Sequence, residues 1–176
     1  RAEQLVCETE PYLLAGGPPC TDFCVMQNMN WQKMSPEERK RRKVEARVHL
    51  DFCAKLYEIQ HEARRLFVHE HPDRATSWVE PSMLKLKNMK NVLMVTADQC
   101  EFGLTVKAKG IERLVKKATK FLTNSPEIAK ELSRRCSKSH DHMQLKGGNY
   151  CKQAQRYPPA LCDAICRGAA REQAYR

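Results

Sequence analysis

Short apolar runs alternate with longer amphipathic stretches along this chain. Four runs are bounded by Gly, Pro or polar clusters, which predicts β-strands at residues 12–16, 66–71, 92–97 and 119–123. The intervening periodicity predicts helices at residues 36–65, 81–90, 125–135 and 158–173, with a further short helix at 2–9. Because strands alternate with helices, the pattern is typical of an α/β fold.

The longest predicted helix has a clear start. Ser35 is placed to cap it, Pro36 fits its first position, and Glu38 completes a capping box. Apolar residues then recur every three or four positions and predict one buried stripe, formed by Val44, Val48, Phe52, Leu56, Ile59, Ala63 and Leu66.

Three segments carry weaker patterns. Residues 21–31 are predicted as a loop or short helix, whose amide side chains and Trp31 either contact nucleic-acid bases or are ordinary turn and packing residues. Residues 103–117 are predicted as a basic, mobile loop. Residues 137–157 are predicted to be irregular.

The length of the chain limits the number of domains, and its net charge indicates the class of partner. The 176 residues are enough for one domain with a core, and we expect a single α/β domain over 1–176. The net charge of +10 favours a polyanionic partner such as nucleic acid, or else marks a soluble basic domain. The run Arg39 to Lys43 either touches phosphates or is a solvated helix face.

Nine scattered cysteines, an odd number, argue against a disulfide framework and for a reducing, intracellular compartment. No apolar run approaches the roughly 20 residues of a membrane span, so no membrane association is expected.

The first predicted strand ends at Gly16-Gly17-Pro18-Pro19, and Cys20 follows on this stiff turn. In open α/β sheets ligands bind at the carboxyl edge of the strands, so Cys20 is a candidate nucleophile, or else a buried structural cysteine. Glu70 and Asp98-Gln99 follow or end later strands, and we expect them at the same edge. A cysteine with a carboxylate is typical of covalent catalysis on an electron-poor ring.

The stretch Gly17 to Cys24 resembles the G-x-P-C-x-x-F-S motif of DNA (cytosine-5) methyltransferases. Further segments, in order, resemble a divergent branch of that family found in viruses and in retrotransposon polyproteins of protists. These segments are His69 to Pro72, Ser77 to Pro81, Asp98 to Gly103, Phe121 to Asn124, and Cys136 to His142. The similarity runs from about residue 12 to 168.

The resemblance implies part of a Rossmann-like methyltransferase sheet, with mostly parallel strands and flanking helices. It implies that Cys20 attacks cytosine C6, that Glu70 contacts N3, and that S-adenosylmethionine donates the methyl group. Pro18 and Asp98 are then predicted to contact this cofactor. The predicted substrate-binding residues are Pro19, Gln27, Asn28, Lys116, Lys117 and Lys120, with DNA as the partner, RNA as an alternative, and a nuclear location.

The chain also departs from the family. The F-x-G-x-G loop that binds S-adenosylmethionine is absent, and we expect it N-terminal to Arg1, so the chain is interpreted as the C-terminal portion of the domain. Cys24 replaces the usual Ser, His71-Pro72 replaces Asn-Val, and residues 137–157 are too few for a target-recognition domain. An alternative is a non-catalytic nucleic-acid-binding segment of a retrotransposon polyprotein.

Cys136, His140 and His142, with Cys100 at another strand end, have the ligand types of a zinc site, but their spacing matches no common zinc finger. The prediction is therefore no metal, with these histidines hydrogen-bonding locally. A zinc deaminase would need H-x-E and P-C-x-x-C, which this sequence lacks.

Overall fold

The computed structural model describes residues 1–25 and 27–175, without the side chains of Asn28, Met29 and Gly148. The prediction that Asn28 contacts substrate therefore lies outside the described side chains. The helices are α1 (Ala2–Thr9), α2 (Gln27–Trp31), α3 (Pro36–Glu62), α4 (Pro81–Lys87), α5 (Pro126–Leu132), α6 (Gly148–Gln153) and α7 (Pro159–Ala174). The strands are β1 (Leu13–Gly16), β2 (Leu66–Pro72), β3 (Leu93–Asp98), β4 (Thr105–Ala108), β5 (Ile111–Leu114) and β6 (Ala118–Thr123).

The fold is mixed α/β, and the strand order in the larger sheet is β1-β2-β6-β3. The β1–β2 pair is parallel, and the remaining pairs are antiparallel. The predicted mostly parallel sheet is therefore not confirmed. A short hairpin connects β3 to β6, whereas a parallel pair of strands needs a longer crossover connection, usually a helix.

Contacts divide the chain into two compact units. Unit 1 comprises Arg1–Met94 and Leu122–Ser125, and unit 2 comprises Val95–Phe121 and Pro126–Arg176.

In unit 1, helix α3 begins as predicted. The Ser35 hydroxyl accepts the Glu38 N–H at 3.2 Å, and Pro36 occupies the first turn. The predicted buried stripe, however, is wrong at its N-terminal end.

Val44, Val48 and Phe52 are 52%, 62% and 40% exposed, whereas Leu50, Ala54 and Tyr57 are buried. Both series recur at helical spacing, so periodicity alone could not choose between the two faces. The buried face packs with β2 and α4 in a core that includes Phe67, Leu122, Met83, Leu86 and Trp78.

In unit 2, residues 105–114 form a β-hairpin rather than the predicted mobile loop. β4 and β5 are antiparallel, and Ala108 pairs with Ile111 across the turn. Lys109 and Gly110 both have positive φ, at 48° and 82°, which is the backbone of a tight two-residue hairpin turn. Val106 is buried and anchors the hairpin to Leu104, Val115 and Ala154.

Helices α5 and α7 pack together in unit 2. A Cβ at Gly168 would lie 2.6 Å from the Ile128 Cα, so the two helix backbones approach as closely as glycine permits. Glu131 on α5 pairs with Arg167 at 3.1 Å and with Arg171 at 2.5 Å. The four-residue spacing of Cys162 and Cys166 on a predicted helix favours a core position for both, but both are exposed.

Candidate functional site

The strand pair β1–β2 positions the Pro-Cys turn in unit 1. Leu13 pairs with Leu66 and Gly16 with His69 in a parallel register. The turn after Gly16 and the residue after His69 therefore lie at the same, carboxyl edge of this pair. Cys20 therefore lies on the turn after β1, and Glu70 lies near the carboxyl end of the neighbouring strand β2.

Cys20 is half-buried and begins a 3-10 turn over Thr21–Phe23. Its φ and ψ are −90° and −1°, the bridge region in which many active-site residues lie. Its carbonyl accepts the Phe23 N–H at 3.1 Å. Pro18 before it is half-buried, and Pro19 is exposed.

His71 ties this turn to β2. Its Nε2 lies 3.0 Å from the Pro18 carbonyl oxygen, and its Nδ1 lies 2.6 Å from the Ser77 hydroxyl. A carbonyl only accepts, so Nε2 carries the proton, and a neutral ring then accepts from Ser77 at Nδ1. The imidazole therefore acts as a clamp, and a carbonyl of the Pro-Cys motif is held by a residue 53 positions later.

The segment Ser77–Trp78 supports the same clamp. The Trp78 indole N–H donates to the Pro72 carbonyl at 2.8 Å, and the Thr76 hydroxyl donates to the Phe23 carbonyl at 3.4 Å. The His71 ring contacts both the Trp78 and Phe23 rings, at centroid distances of 6.1 and 5.9 Å. The resemblance assigned no role to Ser77 or Trp78, and here both hold the end of β2.

His69 and Tyr57 lie beneath the start of the turn. The Tyr57 hydroxyl is 3.2 Å from His69 Nδ1, and a Cβ at Gly16 would overlap that hydroxyl. Gly16 is therefore required for close approach to Tyr57, as well as for ending the strand. Burial raises the pKa of Tyr57, and burial, with His71 nearby, lowers the pKa of His69.

Glu70 stands between the two buried histidines. The His69 and His71 ring centroids are 4.8 Å apart, so both rings lie on one side of β2. Side chains alternate along a strand, so Glu70 is directed to the other side, and it is half-buried. The two histidines therefore do not form a ligand pair with Glu70.

The loop after Cys20 is internally bonded. Gln27 is 5% exposed; its amide N–H lies 3.4 Å from the Asp22 carboxylate and its amide oxygen accepts from Asn30 at 3.0 Å. These contacts agree with the alternative that Gln27 is a turn residue rather than a base contact.

The basic residues at the start of α3 also make contacts within the protein. Arg42 pairs with Asp22 at 3.0 Å, Lys43 lies over the Trp31 ring at 4.2 Å, and Arg41 pairs with Glu38 and Glu45. This favours a structural role for much of the run.

In unit 2, Asp98 is 1% exposed, and neighbouring groups of the protein bond to its carboxylate. Its Oδ2 accepts the Cys136 N–H at 2.9 Å and lies 3.1 Å from Arg135 Nε and 3.8 Å from Lys116 Nζ. Lys117 Nζ lies 5.9 Å from the Tyr157 ring centre, and Lys120 is half-buried on β6.

A groove in unit 2 was not foreseen from the sequence. Its volume is about 920 Å³, and Lys107, Lys152, Arg156 and Tyr157 line it, with Glu112 as its acidic residue. In nucleic-acid-binding grooves, cationic side chains contact the phosphate backbone and aromatic rings stack on the bases. The hairpin and α6 both contribute to it, and neither element was predicted.

Four metal-ligating groups converge elsewhere in unit 2. Ligand atoms of Cys100, Cys136, His140 and His142 all lie within 4.8 Å of one another. Burial raises the pKa of the Cys100 thiol to about 12, with a smaller contribution from the neighbouring Cys136. The structure therefore groups Cys136, His140 and His142, the three candidate metal ligands of the sequence, with Cys100, which precedes the hairpin in the chain.

Comparisons with protein-family models, with curated proteins and with solved structures find no match to this chain. Among the described residues, no helix has the length and apolar character to cross a membrane.

Proposed function

We propose that this chain is a DNA cytosine-C5 methyltransferase-like domain in which Cys20 is the nucleophile. One observation carries the proposal: the Cys20 turn follows β1 at the carboxyl edge of the parallel β1–β2 pair, and His71 of β2 holds the turn in place through the Pro18 carbonyl. A reacting thiol needs a fixed approach, and a proline turn anchored to the adjacent strand supplies it.

The proposed chemistry begins with addition of the Cys20 thiolate to C6 of cytosine. The ring nitrogen N3 gains electron density as the C–S bond forms and the C5–C6 double bond opens, and Glu70 in its carboxylic-acid form donates its proton in a hydrogen bond to N3. The target base must leave the duplex stack for a thiol to reach C6, so the base is flipped. Both ring nitrogens of His71 are bonded, to Pro18 and to Ser77, so His71 is a positioning residue rather than the base.

S-adenosylmethionine is the methyl donor implied by the resemblance, and it would supply an electrophilic methyl group to C5. The residues present do not form its site: the F-x-G-x-G loop is absent from the sequence, and Asp98 is bonded to Cys136 and Arg135.

A trapping experiment tests the nucleophile. DNA carrying pyrimidin-2-one in place of cytosine lacks the 4-amino group, so C6 is more electrophilic and addition does not depend on methyl transfer. We expect a denaturant-stable adduct whose mass maps to the Cys20 peptide, and no adduct with Cys20→Ser.

Cys24→Ser is the matched control, because Cys24 lies four residues away and the family has Ser there. This variant should retain the adduct. Failure of the wild-type chain to form an adduct, or persistence of the adduct in Cys20→Ser, overturns the proposal.

A second candidate is nucleic-acid binding without catalysis, favoured by the unit 2 groove and by the net charge of +10. Phosphate contacts release counterions, so the binding constant should fall steeply as salt rises. Lys152→Glu should weaken binding and reduce the salt dependence of the binding constant. Lys130→Glu is the control, because it makes the same charge change in the last turn of α5, outside the groove. Equal losses in the two variants would contradict this role for the groove.

A further inference from the structure

We propose that Cys100, Cys136, His140 and His142 form a structural zinc site in unit 2. The site is distinct from the Cys20 turn and from the groove, and it accounts for residues to which the proposed function gives no chemical role. Its ligands come from two places in the chain, the 3-10 turn Gln99–Phe102 after β3 and the segment following α5.

The distances fit a tetrahedral ion. Zinc bonds of about 2.3 Å to sulfur and about 2.0–2.1 Å to nitrogen place sulfur and nitrogen ligands about 3.6 Å apart at tetrahedral angles. Cys136 Sγ lies 3.4 Å from His142 Nε2 and 3.7 Å from His140 Nε2. All four ligand atoms lie within 4.8 Å of one another, so an ion at their centre needs only small side-chain movements.

The ligand set identifies the metal class. Two thiolates and two imidazoles in a tetrahedral arrangement favour zinc and disfavour magnesium or calcium, which bind oxygen ligands. Two thiolates also neutralise the charge of a divalent cation. Four protein ligands leave no open position for water, so the site is structural rather than catalytic.

The backbone around Cys136 is arranged about its sulfur. The Lys138 N–H donates to Cys136 Sγ at 3.3 Å, and Lys138 has a φ of 62°, which closes a tight turn. The two preceding N–H groups are also fixed, Cys136 by Asp98 at 2.9 Å and Ser137 by Glu101 at 2.8 Å. Carboxylates that hold a ligand's backbone in this way orient it before the metal binds.

The segment between α5 and α6 explains why a metal is needed. Residues 133–147 contain no helix or strand, although the structure describes them throughout. Long segments without secondary structure are uncommon in compact domains and need another source of order. Zinc binding supplies folding free energy to such segments, and the four ligands would join this one to the turn after β3.

Metal analysis of the full 176-residue chain, expressed without a histidine tag in zinc-supplemented medium, tests the site. We expect about one zinc ion per chain after exhaustive dialysis, and near-complete loss of zinc with Cys136→Ser and with His142→Asn. Cys162→Ser and His49→Asn alter exposed residues of the same two types outside the cluster, so they should retain the ion.

Cobalt keeps the test decisive if a variant folds poorly. Adding Co²⁺ to the metal-free wild-type chain should give the intense visible bands of a tetrahedral site, with thiolate-to-metal charge transfer that zinc abolishes. Zinc-free wild-type protein without these bands would overturn the proposal. A Cys100–Cys136 disulfide in protein prepared under reducing conditions, or unchanged zinc content in both ligand variants, would also overturn it.

Discussion

Unit 1 and unit 2 use cysteine and histidine in opposite ways. In unit 1 the imidazole of His71 bonds to a backbone carbonyl and a hydroxyl, and the ring fixes the turn that presents Cys20. In unit 2 the ligand atoms of two imidazoles and two thiols lie within 4.8 Å of one another. Residue type alone therefore does not distinguish a positioned nucleophile from a candidate metal centre, whereas the partner of each ring nitrogen does.

The largest expected effect is that of Gly168→Ala in unit 2. Helix propensity alone predicts stabilisation by about 1 kcal/mol, because alanine is the better helix former. The new Cβ would instead meet the Ile128 backbone at 2.6 Å, which forces α5 and α7 apart. We expect destabilisation of about 3 kcal/mol in chemical denaturation. A stabilised variant would contradict the close packing of the two helices.

Gly16→Ala in unit 1 differs from Gly168→Ala because the atom that blocks the new Cβ belongs to a side chain rather than to the backbone. The Cβ would overlap the Tyr57 hydroxyl, and we expect a loss of about 2–3 kcal/mol. Tyr57→Phe removes that hydroxyl, so the double variant should recover part of the loss in a double-mutant cycle. Strict additivity of the two substitutions would show that the hydroxyl is not the obstacle.

Ser77→Ala tests the clamp itself. The substitution removes the hydroxyl partner of buried His71 Nδ1, and an unsatisfied buried polar group costs about 1–3 kcal/mol. Ser82→Ala is the control, because the Ser82 hydroxyl oxygen is buried and has no hydrogen-bond partner among the described residues. Its removal should be neutral or stabilising. Equal unfolding free energies for the two variants would contradict the role of Ser77.

The smallest expected effect is a pH dependence in unit 1. Burial holds the pKa of His69 well below 6.5, so below that pH the unfolded chain takes up a proton that the folded chain does not. Stability should therefore fall as the pH drops below about 6.5, by at most about 1.4 kcal/mol per pH unit from this group. His69→Gln should reduce the slope between pH 6.5 and 5. An unchanged slope would show that another group causes it.

Local signals in the sequence were sufficient for several elements. Ser35-Pro36 marked the start of α3 because capping is decided by neighbouring residues, and apolar runs located β1, β2, β3 and β6. The hairpin at 105–114 was missed because its basic residues obscured the alternation of buried Leu104 and Val106 with polar neighbours. The turn residue Gly110 was the signal that would have found it.

The candidate site was only partly predictable for a related reason. Cys20 and Glu70 were located because the sequence marks where β1 and β2 end, and the structure pairs these two strands in parallel. The His71–Pro18 contact joins residues 53 positions apart, and no local pattern encodes it. Cys100 and Cys136 are likewise brought together across an unpredicted hairpin, so their spacing resembled no known finger.

Cysteine-by-cysteine alkylation of the native chain, read by peptide mass spectrometry with and without a zinc chelator, tests the central contrast most directly. We predict that chelation exposes Cys100 and Cys136 to alkylation and leaves the rate at Cys20 unchanged, because Cys20 belongs to no metal-ligating cluster within the described residues. Chelator-independent rates at Cys100 and Cys136, or zinc protection of Cys20, would contradict the account.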